Sequence, residues 1–269
     1  MKTIRELARG KLLLRLVQEK AAYSGVVIGG AGRPAVIRGI DPDEVWQRLQ
    51  NEAGRADRSY FGFDRARQRF LRFFPGGFTS KDYVESERNY KVKAKVELDA
   101  AAPLEAAATG EGYGEAVLRA FRATNLLAPI EKTKLQSVLR GASADAFVQA
   151  AARFTLGAGT SALMDMDRIL RPHDSAKWTV VTYLPFLWRP SVHMFLKPEV
   201  TKGFATKVGH PFVHDYETRL HADVYDGLLS LVGQTESELV ELRPKDRIDV
   251  QSFLWVVGAY DEAKDGAVA

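Results

Sequence analysis

The chain of 269 residues contains no cysteine. Disulfides, thiolate zinc sites, iron-sulfur clusters and cysteine nucleophiles are thereby excluded together. Nor does any window approach 18 uninterrupted apolar residues, and the stretch MKTIRELARGKLLLRLVQEK breaks its apolar run with charges every few residues. Neither a membrane span nor a signal peptide is expected, and the expected location is the cytoplasm. Histidine is scarce, at five residues. His210, His214 and His221 fall near Asp215 and Asp223, but Pro211 interrupts any helix carrying the first two and no HExxH pattern follows, so no metal site and no cofactor is expected. No nucleophile elbow, Walker motif, dinucleotide fingerprint or kinase motif is present either, which trims the list of enzyme classes.

Charge is present but unevenly distributed. Residues 1–95 hold 20 Lys and Arg against 11 Asp and Glu, a net of +9, whereas the rest of the chain carries 18 against 23, a net of −5. A polyanion-binding face would produce this asymmetry; so would a solvated basic face with no partner. Hydrophobic residues make up 46% of the chain, ordinary for a packed protein.

Along the chain, Ile4, Leu7, Leu12, Leu13, Leu14, Leu16 and Val17 stand among charges at a helical spacing, so residues 2–22 are expected to form a helix. The segment GVVIGGAGRPAVIRGI places two β-branched runs around a glycine-rich turn, the pattern of a small hairpin over residues 26–38. Asp41-Pro42-Asp43-Glu44 opens a helix, with a capping acceptor, proline at the first helical position and acids in the first turn. In YFGFDRARQRFLRFFPGGF, Phe63, Phe70, Leu71, Phe73 and Phe74 form a core stripe while Arg65, Arg67, Arg69 and Arg72 spread over a wet face, an interleaving that also suits backbone contact and base stacking. Residues 81–108 mix strand-like alternation with helical flanks and are read as helix. From Gly114 onward short amphipathic helices follow on short loops, with Ser143 as a cap and Gly157 and Gly159 closing one of them.

The stretch KWTVVTYLPFLWRPSVHMFLKPEVTKGFATKVG, residues 177–209, resembles the core of helix-hairpin-helix DNA glycosylases. Lys177-Trp178-Thr179-Val180 looks like that family's Trp-Thr-Ala step, VTYLPFL stands where its apolar helix runs, and Val200, Lys202 and Lys207-Val208-Gly209 resemble its following helix. The resemblance implies a mostly α fold with a helix-hairpin-helix core, carrying here a small β-hairpin near the N-terminus. It is laid out as a basic helical subdomain over 1–110, a helical core over 111–225 containing the motif at 160–209, and C-terminal helices over 226–269 that pack back on the N-terminal part. The sequence departs from the family in two places. Arg171-Pro172-His173-Asp174-Ser175-Ala176 replaces the hairpin glycines, and Lys197 stands where the family carries its catalytic aspartate. A cation there cannot stabilise oxocarbenium character. Lys197 reads as an amine nucleophile, as a phosphate clamp with catalysis assigned to a carboxylate elsewhere, or as a surface lysine.

The wording HMFLKPEVTKGFA followed by RPKDRIDVQSFLWVV is also similar to bacterial proteins associated with phage defence, some of which act as glycosylases on glucosylated hydroxymethylcytosine. That resemblance implies a DNA partner, base flipping, excision of a modified cytosine and an abasic product. The candidate catalytic residues are Lys197, His193, Asp165 and Asp249. Candidate DNA contacts are Lys177, Trp178, Thr179, Lys202, Arg65, Arg69 and Arg72, and candidate pocket residues are Tyr60, Phe61, Phe63, Tyr90 and Trp188. The alternative is a DNA- or RNA-binding module without catalysis, or a helical subunit of a defence complex. Asp165 and Asp167 also read as acids pairing with Arg168 or Arg171, and Asp249 with Gln251 either as members of a helix cap or buried network or as groups that position a water or read a base edge.

Overall fold

The structure, a computed structural model, describes residues 2–9, 12–29, 35–55 and 61–260. It is mostly helical, with one four-stranded antiparallel sheet near the N-terminus. The chain divides into two compact units, residues 1–68 with 202–215 and residues 69–201 with 216–269. These boundaries differ from those expected at 110 and 225.

The first unit is built on strands β1 (Lys2–Arg9), β2 (Leu12–Glu19), β3 (Ala22–Ile28) and β4 (Ala35–Gly39), paired in chain order. Residues 2–22 are therefore not the expected helix but two strands and the start of a third. Leu12, Leu14 and Leu16 alternate, and pairing sets Leu14 opposite both Leu7 and Val27, so a period of two places these leucines on one face. A two-residue turn at Lys20 and Ala21 joins β2 to β3, with Lys20 at φ 55° and Glu19 paired to Ala22. The hairpin expected over 26–38 is the β3–β4 pair, Val26 opposite Val36; its turn residues 30–34 lie outside the described residues.

Helix α1 (Pro42–Arg55) covers one face of the sheet. As its sequence implies, Asp41 Oδ1 accepts from the amides of Asp43 and Glu44. Leu14, Val27, Leu49 and Ala53 form the core beneath it. Gly39 is required there, because a Cβ would stand 2.7 Å from a Val45 methyl. Helix α2 (Gly62–Phe73) follows. Phe61 donates its amide to the Lys207 carbonyl at 2.9 Å, and the Phe63 ring meets Phe204 edge-on at 6.1 Å.

The second unit is helical, as expected for residues 81–108 and beyond Gly114. Its main elements are α3 (Asn89–Ala101), α4 (Gly114–Ala123), α5 (Pro129–Leu139), α6 (Ala144–Arg153), α7 (Gly159–Leu170), α8 (Trp178–Val181), α9 (Tyr183–Trp188), α10 (Pro198–Val208, continuing into the first unit), α11 (Ala222–Glu238) and α12 (Arg247–Ala259). Two wide π turns, Val84–Arg88 and Phe154–Ala158, lead into α3 and α7. Gly157 and Gly159 take φ of 103° and 56°, which the chain needs in order to leave α6 and start α7.

Phe70, Phe74, Phe78, Tyr83 and Phe253 pack ring to ring in this unit, Phe70 lying 4.8 Å from Phe78 and 5.3 Å from Phe253. Beside them runs a buried ionic network. Arg88, on the π turn, bridges Asp246 and Asp249; Asp249 also accepts from the Tyr83 hydroxyl at 2.5 Å and from the Lys245 amide at 2.7 Å. Lys91, fully buried one turn later, donates to Glu87 at 3.1 Å and to Ser252 Oγ at 2.8 Å, and the Tyr260 hydroxyl donates to the other Glu87 oxygen. Burial brings the Lys91 pKa down to about 8 against the opposing pull of Glu87.

Candidate functional site

The order of elements across the motif segment is helix (α7), turn, helix (α8 and α9), a buried irregular segment and helix (α10). Leu170 ends α7, and residues 171–177 reverse the chain without glycine. Asp174 takes the left-handed conformation, at φ 49°, that a glycine would otherwise supply. Its amide closes on Arg171 O and that of Ser175 on Leu170 O, each at 3.1 Å, so these two amides are spent on the turn itself. Lys177 is extended and starts α8. Trp178 is buried and donates its indole N–H to the Glu217 carbonyl at 2.9 Å. Thr179 donates to Glu131 Oε1 at 2.6 Å, and the other oxygen of Glu131 accepts from the Ala128 amide at 2.8 Å.

A groove of about 560 Å³ opens beside this turn, lined by Glu131, Arg171, Lys177, Thr179, Pro198 and Arg219 among others. Its acids are engaged: Asp167 pairs with Arg171, Asp174 with Lys134, and Glu131 as described. Asp174 is held below the usual carboxylate range by its bond to Lys134 and by the Lys134 and Lys177 charges. Among the described residues Lys177, Arg219 and Glu131 form no ion pair, so the groove presents two unpaired cations beside one carboxylate held by neutral donors.

Past α9 the backbone of residues 193–197 has no regular secondary structure, and residues 193–196 are buried. The Met194 amide donates to the Tyr225 hydroxyl at 3.2 Å and the Leu196 amide to Thr182 Oγ1 at 3.0 Å. His193 Nε2 lies 3.1 Å from the Thr155 carbonyl and Nδ1 lies 3.0 Å from the Tyr225 hydroxyl. A carbonyl only accepts, so Nε2 carries the proton and Nδ1 accepts from tyrosine. Burial lowers the His193 pKa, and both ring nitrogens are committed to the protein. The geometry casts His193 as a brace for this buried segment.

Lys197 ends that segment. Its ammonium donates to the Leu126 carbonyl at 3.3 Å and lies 4.7 Å from the centre of the Trp255 ring. Burial lowers its pKa, opposed by the charge of Glu131. A half-buried amine resting on an indole and a carbonyl is chemically distinct from a solvated surface lysine. Three neighbours of this amine, Trp255, Glu131 and the Leu126 carbonyl, carry no sequence signal of a site. Trp255 sits inside the apolar run SFLWVV, and Glu131 reads as an ordinary first-turn acid.

The other expected site residues are dispersed. Asp165 pairs with Arg153 at 3.2 Å and Arg168 at 2.8 Å, the ion-pair role its sequence context implies. Asp249 is wholly enclosed in the Arg88 network, as a buried polar group requires. Trp188 is buried with its N–H on the Ala102 carbonyl at 3.0 Å, which makes it a core residue. Tyr90 is half-buried, its phenol pushed up by burial and then by Glu87. Arg69 donates to the Tyr260 carbonyl and stands over the Phe73 ring, and Arg72 is exposed. Phe61, Phe63, Arg65 and Lys202 belong to the first unit. Tyr60 lies outside the described residues. Among the described residues, no cluster of three His, Asp or Glu stands where it could hold a metal ion, and no helix is long and apolar enough to cross a membrane.

No family model matches the chain, and no curated protein or solved structure matches it.

Proposed function

We propose that the chain is a DNA glycosylase of the helix-hairpin-helix type that excises a modified base, glucosylated hydroxymethylcytosine being the substrate its sequence resemblance implies. Its nucleophile is the Lys197 amine rather than water activated by an aspartate. The observation that carries the reading is the placement of Lys197. At the position where the family has its carboxylate, this chain holds a half-buried amine on Trp255 and Leu126, its pKa lowered by burial. Desolvation that favours the neutral amine is how a lysine is made nucleophilic. The α7–turn–α8 order and the unpaired Lys177 and Arg219 at the groove beside it fit contact with a phosphate backbone.

In the reaction, the Lys197 lone pair forms a bond to the sugar C1′ as the C1′–base bond breaks. The electron pair leaves with the base, which takes up a proton. The C1′–O4′ bond then opens, its electron pair and one amine proton making the O4′ hydroxyl while the second amine proton is lost, which gives an imine between Lys197 and the opened sugar; water hydrolyses the imine, restoring the amine and leaving the abasic site. Incubation with phage DNA rich in glucosylated hydroxymethylcytosine is expected to release free base and leave abasic sites; intact DNA after incubation with the folded protein overturns the proposal.

A second reading, a DNA-binding module without catalysis, is favoured by the bond that already holds the Lys197 ammonium to Leu126 and by the absence of Lys197 from the walls of the groove. It predicts DNA binding with no base released.

A further inference from the structure

The groove beside the 171–177 turn belongs wholly to the second unit, and α8 fastens two of its walls. The Trp178 indole N–H binds the Glu217 carbonyl at 2.9 Å and so ties residues 216–220 to this helix. Thr179, the next residue, donates to Glu131 at 2.6 Å and ties the first turn of α5 to it as well. The volume of about 560 Å³ lies within the roughly 300–1,000 Å³ of small-molecule sites.

Much of the charge around this groove is cancelled. Arg171 pairs with Asp167, and Asp174 with Lys134. Lys177, Arg219 and Glu131 are left without an ion pair among the described residues. A carboxylate offers about four acceptor sites, and Thr179 and Ala128 fill one on each oxygen of Glu131. Tyr216, half-buried, adds an aromatic ring to the lining. Leftover charges of both signs define the chemistry that fits: an anionic group for the two cations, and N–H donors for the carboxylate. A phosphate has oxygens enough to meet both Lys177 and Arg219.

We infer that the groove binds a nucleotide, with its phosphate against Lys177 and Arg219 and the exocyclic amine of its base donating to Glu131. A carboxylate accepts from an amine edge, such as N4 of cytosine, and repels a carbonyl at the same place. The groove therefore selects between bases by that edge, while the two cations hold any nucleotide. The inference goes beyond the glycosylase reading because it needs no excision. Its ligand is a free nucleotide or one nucleotide of a strand, which present the same chemistry.

Calorimetric titration of the full chain with deoxycytidine 5′-monophosphate, deoxyuridine 5′-monophosphate and deoxyribose 5-phosphate tests it. The first carries an amine where the second carries a carbonyl, and the third has no base. Wild-type protein is expected to bind the cytidine nucleotide about tenfold more tightly than either of the others. Glu131→Gln is expected to lose the preference for cytidine over uridine. Lys177→Ala and Arg219→Ala should each weaken both nucleotides about tenfold and leave the preference in place. A deoxycytidine tetranucleotide that binds more tightly than the mononucleotide supports the inference with a strand as the source, and equal binding supports it with a free nucleotide. Equal affinity for the cytidine and uridine nucleotides, no binding of the mononucleotide or the tetranucleotide, a preference that survives in folded Glu131→Gln, or affinity unchanged in both cation variants overturns it. None of these outcomes reads base release, so the glycosylase reading stands or falls separately, on abasic sites.

Discussion

The Lys197 ammonium rests 4.7 Å from the centre of the Trp255 ring, where the buried segment 193–197 meets α12. Covalent capture of DNA by this amine requires its neutral form. Because burial lowers its pKa, capture is expected to rise with pH and to reach half its maximum below the titration of an ordinary lysine. Single-turnover trapping across alkaline pH measures this; a profile that titrates like free lysine contradicts the assigned environment.

Lys91 governs stability rather than chemistry. Its pKa is about 8 in the fold against 10.5 as a free side chain. The unfolded chain therefore binds more protons than the folded one between those values, and stability rises with pH across that window. The gain from pH 8 to 10 is about 2 kcal/mol, after which the buried tyrosines, whose phenols must stay protonated, reverse the trend. Urea unfolding of the wild type against the double variant Glu87→Gln with Lys91→Met is expected to show the rise only in the wild type. Lys91→Met alone strands Glu87 and should cost about 3 kcal/mol.

Asp249 sits inside the Arg88–Tyr83 network, so Asp249→Asn should act on folding. The expected outcome is a loss of about 3 kcal/mol, with DNA chemistry retained in the fraction that folds. Lost chemistry at unchanged melting temperature would instead make Asp249 catalytic.

His193 is buried as the neutral ring, with its pKa lowered. Its contribution is present above the unfolded value of about 6.5 and is lost as pH falls below it. His193→Gln is expected to flatten the acid limb of the stability curve; an unchanged limb would show that other groups set it.

At the groove, Lys177→Ala and Arg219→Ala each remove a cation with no ion pair among the described residues. If DNA lies there, each should weaken binding across sequences and lower the slope of log affinity against log salt by about 1. Titrations at several salt concentrations decide it, and unchanged slopes would move the DNA elsewhere.

The helical unit was legible in the sequence because its helices are short and amphipathic, with Gly157 and Gly159 marking ends by local backbone chemistry, and Asp41 likewise marked the start of α1 in the first unit. The N-terminal sheet was not. Lys2–Arg9 consists largely of residues that favour helices, and only pairing with Leu12–Glu19 makes it a strand. The alternation of Leu12, Leu14 and Leu16 is the strand signal in this stretch, and the spacing of the apolar residues across 2–22 as a whole masks it. The Lys197 position was legible as a motif, whereas Trp255 was not tied to it. It lies more than 50 residues away in sequence, and only the packing of α12 brings its ring beneath the Lys197 ammonium.

The most direct test of Lys197 as nucleophile is borohydride reduction during incubation with DNA containing glucosylated hydroxymethylcytosine. Hydride transfer to the imine carbon fixes the protein to the sugar. A covalent protein–DNA adduct in the wild type that disappears in folded Lys197→Ala is the predicted result. No adduct in the wild type, or an equal adduct in Lys197→Ala, would contradict it.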